Sequence, residues 1–249
     1  MFLVDREPRL HVVAVGSGPP VLLLGGWSAS WEAWEPTVGE LSRSARCIAP
    51  DTRGTGWSAE GDGPITLGDL VRDVFRVLDS LDVERCVIAG ESMGGLVALH
   101  AVARHPSRFS GVALVSTPSA LDPRTTRAVI EGTLADYPAT VRTFVHTCLP
   151  EAGTEHLLPW AEELFLSTRP VTAVQLLQAA TGTPLPDLSG LGLPAVVVHG
   201  TADVVVPVTE ADALAARLPR SRLVLLEGAG HAPTVTRPRE VAEAIRSLV

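Results

Sequence analysis

The sequence contains no lysine, only one tyrosine and three cysteines, and acidic residues outnumber basic ones to give a net charge of −8. We interpret the use of arginine for all 20 basic residues as coding bias in a GC-rich genome, not as a need for guanidinium chemistry. The excess of acid leaves no basic surface for a nucleic-acid backbone, so we expect no nucleic-acid partner. With 46% hydrophobic residues in 249, the chain has enough apolar side chains for one large α/β domain and is not disordered.

Long apolar runs are also missing. No run approaches the roughly 20 residues that cross a bilayer, and charged residues stand near the N-terminus where a secretory signal needs an apolar stretch. The three cysteines, Cys47, Cys86 and Cys148, are odd in number and far apart, which argues against a disulfide framework and a metal knuckle. No acidic or histidine cluster has metal-ligand spacing, and no Gly-x-Gly-x-x-Gly motif follows a strand. The sequence therefore predicts a cytoplasmic protein with no membrane insertion, no metal and no other cofactor.

Short β-rich runs alternate with helical patterns along most of the chain, which is typical of a mostly parallel sheet flanked by helices. The predicted strands are Leu10–Val15, Val21–Leu24, Arg46–Ala49, Cys86–Ala89, Val112–Val115, Ala195–His199 and Leu223–Leu226. The predicted helices are Trp31–Leu41, Leu67–Leu81, Met93–Arg104, Thr209–Leu218 and Pro238–Leu248. We expect the first two runs, joined by Gly16–Pro20, to form an antiparallel pair at the start of the sheet.

The stretch from about Pro118 to Leu188 interrupts this rhythm. It lacks convincing strands, and its prolines separate about four helical pieces. Since the strand pattern resumes at Ala195, we predict a single domain over residues 1–249 with a core of 1–117 and 189–249 and a helical cap over about 118–188. The cap carries 4 arginines against 8 acidic residues, which disfavours a polyphosphate ligand.

The sharpest motif is Gly90-Glu91-Ser92-Met93-Gly94, a Gly-x-Ser-x-Gly pentapeptide between a predicted strand and a predicted helix. A serine on such a tight turn has strained backbone angles and an exposed hydroxyl, and the flanking glycines avoid a steric clash. The first amides of the following helix, that of Met93 foremost, point towards an oxyanion formed beside the serine. The motif predicts that Ser92 is a nucleophile.

A serine hydroxyl needs a base and an orienting acid to react near neutral pH. Of the seven histidines, His231 lies in the loop after the last predicted strand, where it can reach a serine at the carboxyl edge of the sheet. Asp203 follows the preceding strand and reaches the same edge. The order Ser92, Asp203, His231 is the one expected of a nucleophile-elbow hydrolase, so these three residues are the predicted catalytic triad.

With these motifs the chain resembles the α/β-hydrolase fold superfamily along essentially its whole length. The segment Asp51–Ser58 is similar to the family's Asp-x-Arg-Gly-x-Gly-x-Ser loop, which we interpret as a structural turn. By position in the family, the second oxyanion donor is the amide of Trp27, after Gly25 and Gly26. Gly25 stands where the family usually has a histidine, which puts the rigidity of that loop in doubt. We expect Trp27 and Trp57 to contact the substrate.

The resemblance implies hydrolysis of a carboxylic ester, lactone or thioester through an acyl-Ser92 intermediate, with a small, neutral and apolar acyl substrate as the partner. A role in natural-product or small-molecule metabolism is compatible with it. The same triad serves acyltransferases, cyclases, carbon–carbon hydrolases and perhydrolases, and these alternatives stay open. A receptor of the same fold without turnover is the alternative from another class. Epoxide-type and haloalkane-type activities need a carboxylate where this chain has Ser92.

Overall fold

The computed structural model describes residues 8–249 and the backbone of residues 2–4. The strands are β1 (Phe2–Val4), β2 (Leu10–Val15), β3 (Pro20–Leu24), β4 (Arg46–Pro50), β5 (Cys86–Glu91), β6 (Phe109–Val115), β7 (Ala195–Gly200) and β8 (Ser221–Leu226). The α-helices are α1 (Glu35–Leu41), α2 (Leu67–Ser80), α3 (Met93–Arg104), α4 (Pro123–Ala135), α5 (Tyr137–Cys148), α6 (Leu158–Leu166), α7 (Pro170–Ala180), α8 (Val208–Arg217), α9 (Pro233–Thr236) and α10 (Pro238–Arg246). The expected α/β class is confirmed, and β1 is the one of these strands that the sequence pattern did not predict.

The strands form one eight-stranded sheet in the order β1-β2-β4-β3-β5-β6-β7-β8. The pairs β1–β2 and β2–β4 are antiparallel, and all the others are parallel. At the centre, Leu24 of β3 lies opposite Gly90 of β5, and Val115 of β6 lies opposite Val198 of β7. The loops after β3, β5 and β7 therefore leave the same edge of the sheet.

The prediction that the first two runs pair with each other is wrong. Strand β2 pairs with β4, and β3 lies on the far side of β4. Gly16 and Gly18 have positive φ and lie so close to the start of β4 that a β-carbon would stand 2.4 Å from the carbonyl oxygen of Ala45 and 2.9 Å from that of Ser44. The linker thus crosses the start of β4 and makes no hairpin, and the continuously apolar β3 is placed where both of its faces are buried.

Two apolar layers cover the sheet. Alternate residues of β5 divide between them, since Val87 and Ala89 pack with α1 and α10 while Ile88 packs with α2 and α3. Because side chains alternate along a strand, Glu91 lies on the same face of β5 as Val87 and Ala89, and its side chain points towards the layer of α1 and α10.

The chain between β6 and β7 holds helices α4 to α7. Each has a proline in its first turn, where the missing amide hydrogen costs nothing. Asp122 and Asp136 accept hydrogen bonds from the first amides of α4 and α5. Side chains of α5 and α7, such as Val141 and Leu176, are buried in the same apolar layer as α2 and α3, so this insertion packs on the sheet domain. In the described part of the chain, no helix is both long and apolar enough to span a bilayer.

Candidate active site

Ser92 lies between the end of β5 and the start of α3, with φ 51° and ψ −119°. A serine in this region is strained, and such strain persists only where the surroundings hold it. Its amide donates to the carbonyl oxygen of Val115 at 2.8 Å. A β-carbon at Gly90 would lie 2.3 Å from the carbonyl oxygen of Gly94, and one at Gly94 would lie 2.4 Å from that of Leu24. The two glycines of the motif are therefore required by the tight turn.

The structure brings Ser92, His231 and Asp203 together at the carboxyl edge of the sheet. His231 Nε2 lies 3.1 Å from Ser92 Oγ, and His231 Nδ1 lies 2.8 Å from Asp203 Oδ2. The carboxylate can only accept at Nδ1, so the hydrogen-bond network assigns the proton of a neutral imidazole to Nδ1. Nε2 is then free to accept from the serine hydroxyl, which is the arrangement that a general base needs.

Asp203 is held as an anion by donors on both of its oxygens. Its Oδ1 accepts from the amides of Val205 and Val206, both at 2.9 Å. Burial acts to raise the pKa of Asp203, but hydrogen bonds from His199, His231 and the Val206 amide, with the charge interaction of His231, bring that pKa below its usual range. The acid therefore stays ionised wherever the imidazole works as a base.

His199 is a second histidine beside this acid, and the sequence analysis assigned it no part in the site. Its Nε2 lies 2.8 Å from the carbonyl oxygen of Val206 and 3.3 Å from Asp203 Oδ2. Because a carbonyl oxygen can only accept, Nε2 carries a proton and donates it to Val206, while Nδ1 is buried without a hydrogen-bond partner in the described chain. The sequence feature that could have indicated this contact is the spacing of four residues between His199 and Asp203 at the end of β7, which brings both side chains to one turn.

Two backbone amides are available for an oxyanion. Gly26 lies against the nucleophile, since a β-carbon there would stand 3.5 Å from Ser92 Cβ, and Trp27 follows it. Within the described residues, neither the amide of Trp27 nor that of Met93 donates a hydrogen bond to another group. The Met93 amide is also one of the first of α3, where no intrahelical acceptor exists. Both amides can therefore bind a developing negative charge.

The loop after β3, which carries the Trp27 amide, is anchored to the insertion. The indole Nε1 of Trp27 donates to the carbonyl oxygen of Ala173 in α7 at 2.8 Å, and its ring packs edge-on against Phe144 at 5.1 Å. The hydroxyl of Thr168 donates to the carbonyl oxygen of Ser28 at 3.0 Å. A β-carbon at Gly25 would lie 3.3 Å from the carbonyl oxygen of Ala29, a tight contact. Bonds to the insertion thus restrain the loop that lacks the family's usual histidine.

Two cavities reach Ser92. The inner one, of about 60 Å³, is apolar apart from Glu91, Ser92, His231 and Thr234. The outer one, of about 460 Å³, lies between the loop after β7 and helix α4. Trp27 and Phe144 line both cavities. The site therefore offers a small, largely apolar cavity and a larger one, and Ser92 lines both.

Trp57, predicted to contact the substrate, does not line either of these cavities. Its side chain is 78% exposed and borders a separate surface depression with Trp160 and Glu163. The loop itself is placed by Asp51, whose Oδ2 accepts from the amide of Trp57 and from His11 Nδ1. Since only the backbone of Trp57 is tied down, its indole is left on the surface.

The insertion also supports the histidine loop. The amide of His231 donates to the carbonyl oxygen of Cys148 at 3.0 Å, and the amide of Gly230 donates to Glu151 Oε1 at 2.9 Å. A β-carbon at Gly230 would lie 2.3 Å from Cδ of Pro150. Residues 148–151 are therefore pressed against the loop that holds the base.

Comparisons with known proteins show the family of the chain. The family model of the alpha/beta hydrolase fold matches residues 19–157. A pimeloyl-[acyl-carrier protein] methyl ester esterase from Aeromonas hydrophila subsp. hydrophila is 30% identical over 96% of this chain and 99% of its own. An esterase from Exiguobacterium antarcticum superposes with a TM-score of 0.90 at 25% identity, covering 96% of this chain and 95% of its own. The enol-lactonase from Burkholderia xenovorans LB400 gives 0.90 at 25% identity, covering 97% of this chain and 96% of its own. This chain belongs to the α/β-hydrolase fold family.

Proposed function

We propose that the protein hydrolyses a small carboxylic ester, lactone or thioester through an acyl-Ser92 intermediate. The chain is an ester hydrolase of this family. The mechanism is supported by two contacts of His231: its Nε2 lies 3.1 Å from Ser92 Oγ, and its Nδ1 lies 2.8 Å from Asp203 Oδ2. In the first step His231 takes the serine proton as Oγ bonds to the carbonyl carbon. The amides of Trp27 and Met93 bind the oxyanion.

Collapse of this tetrahedral intermediate breaks the bond to the leaving alcohol or thiol, which receives the proton from His231. Water then enters, loses a proton to the same imidazole and attacks the acyl carbon, and Ser92 Oγ leaves as it recovers the proton. Asp203 stabilises the imidazolium in both steps and keeps its Nδ1 proton in place. No other ionisable group is needed to balance the protons.

The two cavities support a substrate that is short on one side of the carbonyl. A water needs roughly 10–15 Å³ of such cavity space, so the inner cavity of about 60 Å³ takes a group of a few heavy atoms. The outer cavity of about 460 Å³ takes a longer group. The short group can be the acyl chain or the leaving group, and a methyl ester of a longer acyl chain, the class named for the Aeromonas relative, is one substrate with this asymmetry. Apolar walls favour neutral groups, because a buried unpaired charge is costly.

We also propose that residues 118–188 act as the cap of a single domain whose core is 1–117 and 189–249. The bond from Trp27 Nε1 to the carbonyl oxygen of Ala173 and the position of Phe144 in both cavities support this role. The cytoplasm stays the proposed compartment, and the three buried, unpaired cysteines are compatible with a reducing environment.

A fluorophosphonate probe tests the proposal directly. We expect it to modify Ser92 in stoichiometric amount, as read by mass spectrometry, and to abolish hydrolysis of a panel of neutral esters, lactones and thioesters. The Ser92→Ala variant should lose both the label and the activity. Exposed Ser107 supplies the control, since Ser107→Ala should keep both. A folded protein with an unmodified Ser92 would contradict the mechanism and favour a receptor without turnover.

A further inference from the structure

The inner cavity contains one acidic side chain. Among its lining residues, the ionisable side chains are Glu91, His231 and Cys148, and most of the remaining surface is aliphatic or aromatic. Ser92 and His231 belong to the proposed reaction, whereas Glu91 takes no part in it. A carboxyl group beside the nucleophile in a small apolar space needs its own explanation.

The position of this carboxyl is well defined. Glu91 is the last residue of β5 and is 6% exposed. Its Oε1 accepts from the hydroxyl of Thr234 in α9 at 2.6 Å. In the part of the chain that the structure describes, Thr234 is the one group that donates a hydrogen bond to the Glu91 carboxyl, and the second carboxyl oxygen is not fully enclosed. Glu91 also lines the inner cavity, together with Ser92 and His231.

The charges around Glu91 are few. His231 and Asp203 interact with it across the site, the first favouring the carboxylate and the second opposing it, and the Cys148 thiol lies close on the side of the insertion. Burial raises the pKa of Glu91 to about 7, against the opposing effect of the Thr234 hydrogen bond. Near neutral pH the group therefore changes between a neutral acid, which donates a hydrogen bond, and a carboxylate, which only accepts.

We propose that Glu91 is a specificity-determining residue of the inner cavity, where its protonated carboxyl accepts neutral substrate groups and its carboxylate repels anionic ones. This inference rests on the proposed hydrolysis at Ser92 and adds to it the charge of the substrate group that the inner cavity admits. The acid form leaves the cavity without net charge and offers one donor to a carbonyl or ether oxygen. In the carboxylate form, an apolar substrate group that enters the cavity must displace water from a buried anion, which is unfavourable. The carboxylate also repels a second negative charge directly.

Two p-nitrophenyl esters of similar acyl length measure this effect. The pentanoate is neutral, and the hydrogen succinate carries a terminal carboxylate, while the nitrophenyl group suits the larger outer cavity. For the wild-type protein we expect kcat/KM for the pentanoate to fall above about pH 7 as Glu91 ionises. We expect Glu91→Gln to remove that fall and to lower the preference for pentanoate over hydrogen succinate at least tenfold at about pH 8. Glu243→Gln, an exposed change on α10, should leave both quantities as in the wild type.

A second variant tests the same inference if Glu91→Gln does not fold. Thr234→Val removes the donor to Oε1, so Glu91 becomes harder to ionise and the alkaline fall in kcat/KM should move to higher pH. The inference is overturned if both variants label at Ser92 with the fluorophosphonate yet keep the wild-type preference and pH profile within about twofold. If the wild-type protein neither hydrolyses the pentanoate nor labels at Ser92, the proposed hydrolysis itself fails, and that result is distinct from an unchanged preference.

Discussion

Replacing Asp203 with asparagine turns one oxygen of the acid into an NH₂ group, and the surrounding donors decide which one. Oδ1 accepts from the amides of Val205 and Val206, both at 2.9 Å. If the NH₂ group faced them, two buried donors would lose their acceptor at a cost of about 1–3 kcal/mol each. The amide oxygen therefore stays on that side, and the NH₂ group faces His231 Nδ1.

This orientation reverses the tautomer of the imidazole. His231 Nδ1 must now accept from the NH₂ group, so the proton moves to Nε2, which lies 3.1 Å from Ser92 Oγ. A protonated Nε2 cannot take the serine proton. We expect Asp203→Asn to lower kcat by about 10⁴-fold, which corresponds to about 5.5 kcal/mol in the activation free energy, while the melting temperature changes far less than the activity.

The assay is kcat for p-nitrophenyl pentanoate at about pH 8, with circular dichroism to establish that the variant is folded. Asp212, which is exposed on α8, supplies the matched control, since Asp212→Asn makes the same chemical change away from the site. A folded Asp203→Asn protein with kcat within about 100-fold of the wild type would refute the tautomer argument. The acid would then serve only to hold the loop after β7.

Three further predictions follow from the geometry. Ser92→Ala and His231→Ala should each lower kcat by about 10⁴-fold or more with an unchanged circular dichroism spectrum; near-wild-type turnover in either would exclude the acyl-enzyme mechanism. Gly94→Ala should lower the melting temperature by several degrees, because its β-carbon would stand 2.4 Å from the Leu24 carbonyl oxygen, whereas Gly39→Ala, in open space on α1, should raise it slightly. Glu91→Gln should stabilise the protein above about pH 7, by on the order of 3 kcal/mol, and not near pH 4, because a pKa raised from 4.5 to about 7 removes stability as pH rises through that window. Equal urea midpoints for wild type and variant at both pH values would contradict the last expectation.

The elements of the fold were predictable from local pattern, and their neighbours in the sheet were not. The run Val21–Leu24 is apolar throughout and reads as a strand, which the structure confirms as part of β3. Its partner depends on where Gly16 and Gly18 carry the chain over β4, a packing relation between segments about 30 residues apart. Periodicity reports which face of a segment is buried and leaves open what covers it.

Sequence pattern also predicted some of the site residues and not others. Loops at the carboxyl edge of a parallel sheet converge, so loop position alone was enough to bring Ser92, Asp203 and His231 together. Loop position does not determine the direction of a side chain, and for this reason Trp57 was placed at the substrate while its indole lies on the surface. The contact of His199 with Asp203 had a signal in their spacing of four residues, but the lack of a partner for His199 Nδ1 among the described residues appears only in three dimensions.

The insertion has two separable tasks in this structure. Leu164 and Phe165 of α6 line the inner cavity, where a change of shape alters which group fits. Residues 148–151 also contact the histidine loop, through the carbonyl oxygen of Cys148 and the carboxylate of Glu151. Glu151 Oε1 also accepts from Thr236 Oγ1 at 2.8 Å, so it ties the loop to the end of α9. Substitutions of Leu164 or Phe165 therefore act on the choice of substrate, whereas a substitution of Glu151, which does not line the inner cavity, acts on the base and should change the reactivity of Ser92 towards every substrate.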